Sequence, residues 1–205
     1  MKAAYLKLKY RVLILLQLPL KRNPIVDACE GVYSPSEDTF LLGRYIECRG
    51  NVLEIGTGSG YLGIGCALSG SNVTATDISS EALECASRNA RNNGVNITFL
   101  QSDLYQNVSG RFDEIIFNPP YLPAEDGESE MWSGGKDGLE TVRRFLLGSR
   151  KHLCSGGIIE IILSDLSDIV SLTEQFSDYE FHMLGKETFQ FETIFAYTLN
   201  LREMR

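Results

Sequence analysis

The tightest constraint on the fold is a short apolar run, Asn51–Ile55, that passes directly into Gly56-Thr-Gly-Ser-Gly60 and then into the helical pattern of Tyr61–Leu68. Strand, glycine turn and helix in that order open a nucleotide-type α/β unit, whose parallel strand delivers the chain to a ligand at its carboxyl end. Glycines 56 and 58 let the backbone turn tightly and approach that ligand, because a Cβ at either place would fill the space. Position 61, where the dinucleotide fingerprint has its third glycine, holds tyrosine, which weighs against a pyrophosphate packed on this helix. Glu54 points the same way, since a carboxylate at the strand's end repels phosphates and welcomes a cation.

The alternation then repeats. Asn72–Thr76 reads as a second strand ending in Asp77, roughly 20 residues past the first glycine, where a carboxylate takes a ribose diol. The span 79–93 reads as a helix, capped by Ser79 or Ser80 and stopped at Asn93-Gly94. Asn96–Gln101 reads as a third strand, followed by Asp103-Leu104. Any one of Glu54, Asp77 and Asp103 would pass for a solvated loop residue. Their shared position, at the carboxyl ends of three strands, marks the ligand as a nucleoside that carries positive charge.

The fourth strand lies in Arg111–Tyr121, RFDEIIFNPPY. Ile115–Phe117 is a buried run, and two prolines forbid further pairing, so Asn118 is delivered to a fixed point. The stretch offers the Asn118 amide, the carbonyl oxygens of Pro119 and Pro120, and the ring of Tyr121, with no Ser, Cys or His nucleophile. Such a set accepts hydrogen bonds from an NH2 group and stacks on a flat one.

Around these motifs, Ser36 can cap a helix with Glu37 and Asp38 in its first turn, running to about Ile46. Thr39 either points into a neighbouring cleft or is only a helix residue. Leu122–Met131 reads as a polar, acidic flap over the cleft, and Trp132-Ser-Gly-Gly-Lys-Asp-Gly138 as a turn able to close on substrate. A helix over Leu139–Leu153, ended by Ser155-Gly156-Gly157, a strand at Ile158–Leu163 and a helix over Asp165–Phe176 follow. Two last strands, about Tyr179–Gly185 and Phe191–Asn200, are spaced as a hairpin that puts an antiparallel strand at the sheet's edge. The expected architecture is a Rossmann-like, doubly wound, mostly parallel α/β sheet.

Composition narrows the partners. A chain of 205 residues with net charge −8 fits one domain and is poorly suited to gripping a phosphate backbone, so direct nucleic-acid contact is not expected. The five cysteines are scattered without a CxxC pair, which predicts neither a disulfide framework nor a metal site, and a reduced, cytoplasmic protein. Lys2, Lys7, Lys9 and Arg11 precede the apolar run Val12–Leu16, imitating a signal peptide, yet no small-residue cleavage site follows. The run is too short to span a bilayer; it reads as an element packed on the domain, with an interfacial membrane segment as the sharper alternative. Residues 1–31 are therefore set apart as an N-terminal segment ahead of a domain over 32–205.

Glu54-Ile-Gly-Thr-Gly58, Asp77, Asp103 and Asn118-Pro-Pro-Tyr121 together resemble the class I S-adenosylmethionine-dependent methyltransferases that act on amino groups. Tyr33-Ser-Pro-Ser-Glu-Asp-Thr39 and Trp132–Gly138 narrow the resemblance to the HemK-type protein glutamine methyltransferases, over about Val32 to Leu199. Without room for a helical recognition domain, the chain is similar to the short archaeal and eukaryotic branch. That branch methylates the glutamine of the GGQ tripeptide in class I release factors, often with a small zinc-binding activator subunit.

The resemblance implies S-adenosyl-L-methionine as cofactor, its methionine part held by Glu54 to Gly58, its ribose by Asp77 and its adenine by Asp103 and Leu104. Thr39 would also face it, and Asn118 would lie at the boundary of cofactor and substrate. Asn118 and the carbonyl of Pro119 would accept the two hydrogens of the target amide, with Pro120 and Tyr121 shaping the pocket. Two competing readings stand beside this one: an enzyme methylating exocyclic amines of adenine or guanine in DNA or RNA, and a non-catalytic cofactor-binding scaffold.

Overall fold

The structure is a computed structural model that describes residues 23–120 and 137–202. Seven strands form one sheet in the order β3-β2-β1-β4-β5-β7-β6. In chain order the elements are α1 (Glu37–Gly43), β1 (Asn51–Ile55), α2 (Tyr61–Leu68), β2 (Asn72–Asp77), α3 (Ser80–Asn92), β3 (Thr98–Gln101) and β4 (Phe112–Phe117). They continue with α4 (Glu140–Ser149), β5 (Leu153–Ser164), α5 (Ile169–Gln175), β6 (Tyr179–Thr188) and β7 (Thr193–Leu201). Strands β1 to β5 pair in parallel, and β7 runs antiparallel to both β5 and β6.

The expected mostly parallel sheet with an antiparallel C-terminal strand is therefore present, but that strand is not at the edge. β7 sits between β5 and β6, and β6 is the edge. Hairpin spacing specifies that β6 and β7 pair, not which of them joins β5. The burial contrast decides it: β7 buries Ile194, Ala196 and Leu199, whereas β6 buries only Tyr179.

Alternate residues of each central strand feed two cores. Leu53, Ile115, Phe117, Ile159 and Ile161 face α4 and α5 through Val142, Phe145, Leu146 and Leu172. Val52, Ile116 and Ile162 face α1 and α2 through Leu41, Leu42, Tyr61 and Leu62. Successive strands run outward from β1 to β3, and the chain then returns to place β4 on the other side of β1. A crevice opens at that reversal, above the carboxyl ends of β1 and β4.

Three local expectations need correction. α1 stops at Gly43, short of Ile46, and the Ser36 hydroxyl donates to the Glu37 carboxylate without capping the helix. α4 ends at Ser149, and Leu153 already belongs to β5; Gly156 and Gly157 serve a β-bulge inside that strand, where Gly156 has φ +70°. Four of the five cysteines are paired, as Cys29–Cys85 and Cys48–Cys66, leaving Cys154 free. Neither pair is close in sequence, and it is folding that brings them together. Cys29 lies on an extended strap, Asn23–Gly31, that runs along α3. Asn89 accepts from Asp27 N–H at 3.0 Å and donates to Asp27 O at 3.2 Å, while Asn93 pairs with the backbone of Ile25. Among the described residues no helix is long and apolar enough to cross a membrane.

Candidate active site

A cleft of about 860 Å³ opens over the carboxyl ends of β1, β2 and β4. Thr39, Glu54, Gly56, Gly58, Asp77, Asp103, Leu104, Asn118, Pro119 and Pro120 all line it. Residues spread over 82 positions of sequence thus share one surface. Tyr121, the flap 122–131 and Trp132 lie outside the described residues.

The cleft has three chemically distinct parts. At its floor, Glu54 is 3% exposed, and its Oε2 accepts from the Thr57 hydroxyl at 2.5 Å. The Gly63 N–H at the first turn of α2 also donates to this carboxylate, and a Cβ on Gly63 would lie 2.5 Å from Oε2. Burial dominates over these donors and, with the nearby charge of Asp77, pushes the carboxyl up to about 7. The glycine turn passes directly above. Gly56 and Gly58 have φ of +66° and +53°, which leaves the backbone bare toward the cleft and is strained for any residue with a Cβ.

Asp77 is tied to that turn. Its Oδ2 accepts from Gly58 N–H at 2.9 Å and its Oδ1 from Ser79 N–H at 3.0 Å, so both oxygens are oriented and each keeps a lone pair for a diol. Asp103 stands further along the edge, with its Oδ2 in an ion pair with Arg144 at 2.5 Å. Leu104 beside it, also on the cleft wall, adopts φ +49°, a left-handed conformation rare for a bulky residue.

The third part surrounds Asn118. Its Nδ2 donates to Thr39 Oγ1 at 3.4 Å, Thr39 Oγ1 donates to Asp38 Oδ1 at 3.1 Å, and the Tyr33 hydroxyl donates to the same carboxylate at 2.8 Å. This chain fixes which end of the amide faces α1. The Asn118 Oδ1 is left shielded from solvent with no hydrogen-bond partner among the described residues, a costly state unless a donor arrives.

Sequence reading missed three participants. Asp38 was taken only as a first-turn acid, although Asp38, Leu41 and Leu42 follow the spacing of one helix face, which signals a buried carboxylate. Thr57 has no role of its own in the Glu54 to Gly58 stretch as read from sequence, whereas its hydroxyl holds Glu54. Arg144 comes from α4, more than forty residues away in sequence (|i−j|=41), and no local pattern ties it to Asp103.

The methyltransferase small domain family matches residues 30–190. A Methanocaldococcus jannaschii protein, named as a protein N5-glutamine methyltransferase, is 42% identical over 145 residues, covering 66% of this chain and 74% of that one. A release factor glutamine methyltransferase of Deinococcus radiodurans is 37% identical over 120 residues, 53% of this chain and 43% of that protein, so the chain spans less than half of this bacterial relative. Among solved structures, the Mtq2-Trm112 complex of E. cuniculi, described as responsible for methylating the termination factor eRF1, shares the fold with a TM-score of 0.67 at 22% identity, covering 83% of this chain and 99% of that one. A family match over most of the chain and an archaeal relative aligned over two thirds of it lead to one conclusion: the chain belongs to the methyltransferase small domain family, among its HemK-type protein glutamine methyltransferases.

Proposed function

We propose that this protein transfers a methyl group from S-adenosyl-L-methionine to the side-chain amide nitrogen of the glutamine in the GGQ motif of a class I release factor. The observation that carries this reading is the buried, unpartnered Oδ1 of Asn118, a residue at the carboxyl end of β4 whose amide nitrogen is held by Thr39 and which lines the same cleft as Glu54.

The residues present fit the cofactor. Glu54 and the bare turn of Gly56 to Gly58 suit its cationic methionine part, Asp77 its ribose diol, and Asp103 with the Leu104 backbone its adenine amine. Bound there, the cofactor supplies an electrophilic methyl on a positively charged sulfur, with a neutral thioether as leaving group. The protein therefore has no leaving group to protonate.

What it must do is orient a poor nucleophile. An amide nitrogen's lone pair is delocalised into its carbonyl. Asn118 Oδ1 and the Pro119 carbonyl, each accepting one N–H, hold the nitrogen in place and favour its pyramidalisation as the new bond forms, so positioning supplies much of the rate. The product nitrogen sheds its proton after transfer, and no strong base is needed. Pro119 and Pro120 keep these acceptors rigid, which lowers the ordering cost of each turnover. Tyr121 follows directly in sequence and is assigned the pocket wall. A small zinc-binding activator subunit is a further expected partner, and the cytoplasm is where a release factor is met.

The test is mass spectrometry of a purified release factor after incubation with protein and cofactor, with and without a candidate activator. One added methyl on the GGQ glutamine is expected. Methyl incorporation into bulk RNA, with the release factor unmodified, would overturn the proposal.

A further inference from the structure

Cys29 and Cys85, 56 positions apart in sequence, are joined in the structure, and the bond links two walls of the large cleft without lining it. One wall is α3, where Ala82 lines the cleft and Cys85, about one helical turn on, is 1% exposed. The other is the chain just after Cys29, of which Gly31, Val32 and Tyr33 line the same cleft. A turn closed by Val32 N–H to Cys29 O at 3.2 Å, with Gly31 at φ +72°, swings the strap into that wall. The disulfide therefore fixes the first residue of the turn that sets where the wall stands.

That wall bears on the groups assigned to the cofactor. The Tyr33 carbonyl oxygen lies 3.4 Å from where a Cβ on Gly58 would stand, so the wall rests on the glycine turn. Asn89, about one turn beyond Cys85, ties the same parts together: its Nδ2 donates to Ser59 O in the glycine turn at 2.9 Å and to Asp27 O on the strap at 3.2 Å. Asn93 and Asn89 anchor the strap at Ile25 and Asp27, and past that point the disulfide takes over as its tie to α3. The bond is also open to exchange. Cys29 is partly exposed, and Arg88 Nη2 stands 2.8 Å from its sulfur, where a guanidinium favours the thiolate that reduction releases.

We propose that the Cys29–Cys85 disulfide is a redox-set clamp on the cofactor cleft. Joined, it holds Gly31 to Tyr33 against the glycine turn, and the cleft meets S-adenosyl-L-methionine already ordered. Parted, it leaves that wall loose, and ordering it then subtracts from binding. The exchange balances with two equivalents of thiol group. The first, as thiolate, attacks the accessible Cys29 sulfur and releases Cys85, which takes up a proton. The second attacks the outer sulfur of the mixed disulfide and releases Cys29 as the thiolate beside Arg88, and the two external sulfurs depart joined to each other. An external disulfide reverses both steps. This inference rests on the reading of the cleft as the cofactor site, and not on the identity of the methyl acceptor.

S-adenosylhomocysteine is titrated calorimetrically into the oxidised protein and into the protein reduced with dithiothreitol, with thiols counted and circular dichroism recorded in each state. Affinity is expected to fall about tenfold on reduction, as it does when binding must order a few side chains, and to return on reoxidation with oxidised glutathione, with the folded spectrum kept throughout. Cys29→Ser and Cys85→Ala each open this bond and keep Cys48–Cys66. Both should match the reduced wild type under oxidising conditions and change no further with dithiothreitol. Equal affinity in the two states of the wild type, wild-type affinity in the oxidised variants, or a reductant effect that persists in them and so belongs to Cys48–Cys66 would each overturn the inference. So would loss of the folded spectrum on reduction, since the bond would then staple the whole domain. Absence of S-adenosylhomocysteine binding in the oxidised protein would remove the reading of the cleft, and the clamp with it. Methylation of the release factor is scored separately and judges the acceptor alone.

Discussion

Glu54 makes cofactor binding depend on pH in a direction the structure specifies. Burial raises its carboxyl from 4.5 to about 7, so the folded protein holds this proton more tightly than the unfolded chain does. The resulting stability is fully present below about pH 4.5 and is lost as the pH rises through about 7, a change of about 3 kcal/mol. A cationic ligand at the cleft floor prefers the ionised carboxylate and must displace the proton to bind. Affinity for S-adenosyl-L-methionine should therefore rise about fifteenfold between pH 5.5 and 7, the increase in ionised fraction for a group titrating near 7. Calorimetry in two buffers of different ionisation enthalpy should count close to one proton released at pH 6. Glu54→Gln should flatten the affinity profile, leave the cofactor weakly bound at every pH, and raise the stability of the ligand-free protein at pH 7.5. Affinity independent of pH in the wild type, or the same slope in the variant, would refute the argument.

Other expectations follow from the same contacts. Asn118→Ala should lower turnover at least about a hundredfold, as loss of an oriented acceptor does, while cofactor affinity changes little; near-normal turnover in a quenched assay would remove Asn118 from the mechanism. Asn89→Ala takes away a fully buried amide that donates to Ser59 O at 2.9 Å and also ties the strap to α3. It should cost about 1–3 kcal/mol in denaturant unfolding, and an unchanged midpoint would contradict it. Thiol titration of denatured, unreduced protein should find one reactive cysteine, and reduction should expose five. Closing loops of 56 and 18 residues, the two disulfides should contribute up to about 4 and 3 kcal/mol on the chain-entropy estimate. Five thiols before reduction would show that the pairs do not form.

Much of the site was legible because its signals are local. Gly56 and Gly58 announce the turn, Asp77 ends an apolar run, and the prolines after Asn118 stop a strand where a ligand can meet it. Asp38 was half-legible, as an acid on an apolar helix face. Arg144, Asn89 and the cysteine pairs were not, since each acts on a partner 18 to 62 positions away and leaves no mark on its own neighbourhood. The bulge at Gly156-Gly157 was read as a helix stop because both need a glycine at positive φ, and a local pattern does not tell them apart.

The amino-acid sequence by itself determined the alternation of strands and helices, the carboxylates at the strand ends and the rigid Asn-Pro-Pro acceptor set, because apolar period, glycine freedom and proline stiffness act within a few residues. Only the tertiary structure decided that β7 runs inside the sheet, that Asp103 meets Arg144, that Thr39 takes up the Asn118 amide nitrogen and leaves its oxygen buried without a partner, and that the β6–β7 turn comes beside Asp38. Those are matters of which surfaces meet when two cores close on one sheet, and that choice rests on packing between residues far apart in the chain.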